Sequence, residues 1–207
     1  AVLAGGEAEI TDVMKEKIIS VITSPSAIDD LRSEYIDRFD RGKSANPLYE
    51  TEYGRDRALA KGHELADISG FYKAFGLEFE CDGIGKEMID HVSVELEFYT
   101  LLMMKEKTLK EAFNAEGVEV VSSARKKFLK EHLGRFVGAI ADRPGVQSSE
   151  FYSLVFNWCK AIVEQEGKAL GIELDSANWY GRDVMTDEQL LCGGSSCSKS
   201  EEKSCSD

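Results

Sequence analysis

Apolar residues recur every three or four positions through most of the chain, and no period of two is sustained. That spacing marks one face of an α-helix, so the chain reads as all-α. A first helix is expected over about Ile10–Ile22, with Val13, Ile18, Val21 and Ile22 on its apolar side. Ser24-Pro25-Ser26 breaks it. Ser26 is placed to cap the next helix, with Asp29 three residues on as in a capping box. Ile28, Leu31, Tyr35 and Phe39 then form one stripe, and Gly42 follows as a C-terminal cap.

An aromatic-rich loop, KSANPLYETEYGR, leads to a helix over about Asp56–Phe75 that buries Leu59, Leu65, Ile68, Phe71, Tyr72 and Phe75 and stops at Gly76. The acidic loop LEFECDGIGKE precedes a long helix from Met88 to about Phe113. A further helix is expected over about Val121–Ile140, with Phe128, Leu129, Leu133 and Phe136 inward. Asp142-Arg-Pro-Gly145 reads as a turn. The last long helix spans Ser149–Leu170, with Phe151, Leu154, Val155, Trp158 and Ile162 inward, and Gly171 ends it. The Ser/Gly-rich run CGGSSCSKSEEKSCSD reads as a disordered tail. The expected organisation is one helical-bundle domain over 1–185 and a flexible Cys/Ser-rich tail over 186–207.

Composition narrows the function. With 207 residues, 43% hydrophobic and 30% charged, the chain has the makeup of a globular domain able to bury about 70% of its unfolded surface. Its formal net charge of −13 repels phosphate backbones and anionic membranes and favours cationic partners, so nucleic-acid binding is not expected. No apolar run reaches the ~20 residues of a membrane span, and the start lacks the pattern of a secretory signal. Five cysteines without a regular framework fit a reduced, cytoplasmic setting.

Candidate chemistry centres on MIDHVSVELEFYTLLMMKE at 88–106. Asp90 is placed to cap the helix, with its carboxylate accepting from the N–H of residue 92 or 93. His91 and Glu95 share a face one turn apart. A catalytic dyad or a metal site would need company, and His63 and His132 lie in no local ligand motif. HExxH, CxxC, P-loop and GxSxG motifs are missing too, so neither an enzyme nor a bound cofactor is expected. Cys192, Cys197 and Cys205 could gather a soft metal, at the entropic cost of ordering the tail; that leaves a metal or Fe–S handling protein as the alternative. Tyr35, Phe39, Tyr49 and Tyr53, with acids at the rim including Glu78, Glu80, Asp82 and Glu87, suit a groove for an apolar peptide with basic residues.

EYIDRF at 34–39, NPLYETEY at 46–53, LADISGFYKAFGLE at 65–78, IDHVSVELEFYTLLMMKE at 89–106 and FLKEHLGRF at 128–136 together resemble the TorD/DmsD/NarJ family of redox-enzyme maturation chaperones. The resemblance covers most of residues 10–170. It implies an all-helical cytoplasmic chaperone, not an enzyme. Such a protein binds the apo catalytic subunit of a molybdopterin-dependent oxidoreductase, often through its twin-arginine signal peptide, until the cofactor is inserted. It implies a peptide-binding role for Asp90 and His91, for Tyr35 and Phe39, and for the loop residues Tyr49, Glu50 and Tyr53; Glu95 joins them on the face of His91. Arg38 stands where the family has leucine. A monomer is the expected state, with exchange of helices into a dimer left open.

Overall fold

The computed structural model describes residues 5–40, 45–53, 57–77 and 88–174, and among these the chain is all-α with no strand. Its helices are α1 (Gly5–Ile22), α2 (Pro25–Tyr35), α3 (Arg57–Ala74), α4 (Val92–Glu111), α5 (Ala115–Phe128), α6 (Gly134–Ala141), α7 (Pro144–Gln147) and α8 (Glu150–Leu170). The expected caps Gly42 and Ser26 fare differently. Gly42 lies outside the described residues, and Ser26 sits inside α2. Ser24 takes the N-cap position and Pro25 the first turn, where its missing N–H leaves no bond unmade. A second proline acts alike: Pro144 starts the short α7 where a plain turn was expected.

α5 begins six residues before the expected Val121. The Asn114 side chain caps it by accepting from Gly117 N–H at 2.9 Å. Gly117 and the acids around it hide that first turn from a hydrophobic-period reading. From Ala115 the helix runs on through a π turn, Leu129–Leu133, into α6. Gly134 closes this turn by donating to the Leu129 carbonyl. A Cβ at Gly134 would sit 2.4 Å from that oxygen, so the turn requires glycine.

Phe128, Leu129, Leu133 and Phe136 are fully buried, as their spacing predicts. They meet α3 and α4 in an aromatic core. Phe98 lies edge-on to Tyr72 at 4.6 Å and to Phe128 at 4.8 Å, and Phe71 meets Phe128 at 5.3 Å. α4 packs along α5, and α6 along α8. On α8 the expected face is rotated. Phe156 and Val163 are the buried pair, with Tyr152, Cys159 and Leu170 packed beside them, while Phe151, Leu154, Val155 and Trp158 are half-buried and Ile162 is exposed. This helix carries apolar residues on both faces, so its period alone does not choose between them.

α4 ends two residues short of the expected Phe113. Phe113 itself follows the C-cap at φ 55°, in the left-handed region, with 95% of its surface exposed. Its N–H donates to Lys110 and that of Asn114 to Leu109, the closing pattern that normally carries glycine. Phe113→Gly is therefore expected to stabilise the fold by about 1 kcal/mol, because the ring has little packing to lose. A urea melt that moves the midpoint down would show that Phe113 makes a contact that its exposure hides.

Candidate functional site

Residues 45–53 form a strap across the head of α4. Tyr49 and His91 make an antiparallel bridge. On either side of it Glu50 N–H donates to Asp90 O at 2.8 Å and Val92 N–H to Leu48 O at 2.9 Å. The Tyr49 and His91 rings meet edge-on at 5.1 Å. The strap closes on itself where Tyr53 Oη donates to Pro47 O at 2.5 Å, and Tyr53 packs on Phe136. Its near end is held by Arg143, which donates to Ala45 O.

The cap at the head of α4 belongs to His91, not to Asp90. His91 Nδ1 accepts from Ser93 N–H at 3.3 Å and pairs with Ser93 Oγ at 2.7 Å. Asp90 turns the other way. Its Oδ2 accepts from Thr51 Oγ1 at 2.6 Å and from Thr51 N–H at 3.3 Å. The helix starts at Val92, so the capping position falls on residue 91 and frees Asp90 to anchor the strap. Asp90 and His91 are both buried.

Behind this seam lies a line of buried titratable groups. Glu50 on the strap and Glu95 on α4 are both 0% exposed. Among the described residues no N–H or hydroxyl donor reaches either Glu95 oxygen. The carboxyls of Glu95 and Glu50 meet each other, which is satisfactory only if a proton lies between them. Burial, then the charge and hydrogen bond of Glu50, then Asp90, hold the Glu95 carboxyl well above its usual range. Glu50 is in turn paired with His132 Nδ1 at 3.1 Å, and His132 Nε2 faces Asp67 Oδ2 at 3.2 Å. A neutral ring donates from one nitrogen only, so two carboxylate partners favour the imidazolium. Burial is the strongest single influence on His132 and opposes that charge. Glu50 and Asp67 together outweigh it and raise the ring's pKa. Tyr72, whose hydroxyl donates to Ile89 O, is also pushed up, by burial and then by Glu95, Glu50 and Asp90.

Tyr35 and Phe39 belong to a different place. Phe39 is buried against Tyr152 at 5.1 Å and Phe156 at 5.9 Å, and Tyr35 stacks on Phe39 and Tyr152. Tyr35 lines an open apolar cleft of about 460 Å³ between α1, α2 and α8, with Val21, Ile28, Leu31, Ile36 and Tyr152. Arg38 has a structural task here. It donates to Glu34 at 2.7 Å, to Ser148 Oγ at 2.8 Å and to the Gly145 carbonyl, which ties a second π turn, Ile36–Asp40 after α2, to α7. The four aromatics expected in one lining are thus divided between the cleft and the strap.

His132, Asp67 and Thr51 were not singled out by sequence reasoning. Each is unremarkable locally; Glu50 and His132 are 82 positions apart. Asp67, Glu131 and His132 bring ligand-type atoms within 4.8 Å of one another; the first and last are joined by their hydrogen bond, and Glu131 pairs with Lys127 at 3.5 Å. The half-buried Cys159 thiol is pushed up to about 11 by desolvation, which makes it a poor nucleophile or ligand near neutrality. Cys192, Cys197 and Cys205, and the loop acids Glu78, Glu80, Asp82 and Glu87, lie outside the described residues.

Residues 4–142 match the family described as nitrate reductase delta subunit. No curated protein matches the chain.

Proposed function

The chain belongs to the nitrate reductase delta subunit family, which works in molybdoenzyme maturation, and from that premise we propose that it is a leader-binding chaperone. It binds the apo catalytic subunit of a molybdopterin-dependent oxidoreductase through the twin-arginine leader and keeps it from export until the cofactor is in place. The match over residues 4–142 carries this reading, because it includes every motif on which the resemblance rests. The reading is of a binding protein without catalytic activity, working as a monomer in the cytoplasm, where its client is assembled. No described helix is long and apolar enough to cross a membrane.

The geometry supports two contact regions. The cleft beside Tyr35 would take the apolar part of the leader, with Phe39 holding Tyr35 in place from behind. Ile36, half exposed at 50%, offers apolar surface at its edge. The seam of Tyr49, Asp90 and His91 would receive an arginine, with Glu50, Tyr53 and Glu95 shaping it from within. The net charge of −13 favours a cationic segment. A guanidinium can meet a carboxylate through two parallel hydrogen bonds, which an ammonium cannot.

Calorimetric titration with a twin-arginine leader peptide should give micromolar or tighter binding. Its Lys-Lys counterpart should bind at least ~10-fold more weakly, a difference of about 1.4 kcal/mol. Leu31→Asp, which places a charge in the apolar cleft, should weaken both peptides by a similar factor. Failure of several such leaders to bind would remove the leader from this reading and point to a mature region of the client.

A further inference from the structure

Several acids among the described residues gather around the strap. Glu50 comes from the strap, Asp90 and Glu95 from the head of α4, Glu64 and Asp67 from α3, and Glu131 from the π turn. His132 and Arg135 face them, Lys127 pairs with Glu131 and Lys61 with Glu52 of the strap, and Tyr72 presents a hydroxyl already bound to Ile89 O. We propose that Glu50 and Glu95 share one proton, and that this proton latches the strap to α4, so that its loss parts the strap from the head of α4.

Three observations carry the latch. Glu95 is wholly enclosed and no N–H or hydroxyl donor among the described residues reaches it, so its ionised form has nothing to stabilise it there. Glu50 already takes the His132 N–H, which assigns the charge to Glu50 and the proton to Glu95. The two carboxyls sit on different elements, one on the strap and one on α4, so repulsion between two carboxylates acts directly across the seam. The strap meets α4 through a short ladder and the Thr51–Asp90 bonds, while the Glu50–His132 pair and the Tyr53–Phe136 contact hold it to the π turn and α6, so parting the seam is a local event.

The sign follows from the direction of the shift. Glu95 binds its proton more tightly in the closed state than in the open one. The stabilisation is complete below the ordinary carboxyl range and is lost as pH rises through the raised value. Glu64, raised by burial and then by Glu50, works in the same sense. His132 does too, from its ordinary range upward. When the latch opens, the Glu95 O–H bond breaks, the proton passes to water and the electron pair stays on the carboxylate. Release uncovers Asp90 and the Tyr49–His91 contact; any effect on a client rests on the proposed function, whereas the latch itself does not.

Hydrogen exchange of the Glu50 and Val92 amides tests this on the protein without any partner. Between about pH 5 and 6, below the ordinary histidine range, the opening constant should rise about tenfold per pH unit after correction for intrinsic exchange. Glu95→Gln keeps the shape and offers Glu50 an N–H that does not titrate, so its slope should fall by one full proton and both amides should stay protected. Equal slopes in the two proteins would overturn the latch. Carbon NMR of the Glu95 carboxyl in the native protein supplies a readout that needs no variant. A signal that stays protonated while the exposed glutamates titrate agrees with the latch, and one that titrates with them overturns it.

Discussion

His132→Ala is expected to destabilise the protein by about 3–5 kcal/mol, a large share of the 5–15 kcal/mol that holds a typical domain folded. The substitution removes the cation that Glu50 and Asp67 both use, and Glu50 has no access to water that could replace it. It also removes a ring that packs against Phe71 at 5.5 Å and Phe128 at 5.2 Å. The loss should depend on pH. The raised pKa of His132 makes its contribution complete below the ordinary histidine range and lets it decline as pH rises through the raised value, so the loss on substitution is largest in mild acid and shrinks above that range. Urea unfolding followed by circular dichroism at two pH values measures both parts. Glu50→Gln in the same background should recover some of the loss, since an amide needs no counter-charge, and the double-mutant cycle isolates the ion pair from the lost packing. A loss below about 1 kcal/mol at neutral pH would mean that Glu50 does not depend on His132.

The contrast between that network and the rest of the fold shows what a one-dimensional reading can reach. Phe128, Leu129, Leu133 and Phe136 were placed correctly because their spacing and their burial have the same cause, a helix with one wet face. α8 has no such asymmetry, and the choice of face went to whatever α1 and α6 left to fill. The start of α4 turned on a single residue. Either Asp90 or His91 can accept from the first turn, and the decision came from Thr51, which offers Asp90 two donors from 39 positions away. Glu50, Glu95 and His132 were each visible as titratable residues. Their pairing was not, since it depends on the strap crossing α4 and on the π turn that aims His132 at Glu50. The resemblance to a chaperone family marked the strap and the head of α4 as important without indicating that most of their polar groups would be buried against each other.

Asp90 is where holding the fold and binding a partner can be separated. Asp90→Ala is expected to cost about 1.5–3 kcal/mol, because the Thr51 hydroxyl and amide both lose a charged acceptor in a buried position. Asp90→Asn keeps an oxygen of the same shape and should cost about 1 kcal/mol or less. Thr51→Val removes the hydroxyl donor but leaves the carboxylate, and should loosen the strap without touching the charge at residue 90. If Asp90 meets a leader arginine, Asp90→Asn will bind the peptide at least ~10-fold more weakly although it stays folded, and Thr51→Val will bind as well as the native protein or better. If Asp90 serves the strap alone, binding will follow stability through all three variants, and Asp90→Asn will bind almost normally. The second pattern would move the arginine contact away from this seam, toward the cleft beside Tyr35 and the acids exposed on α2. The buried carboxyl and its threonine would then be a hinge pin rather than a receptor.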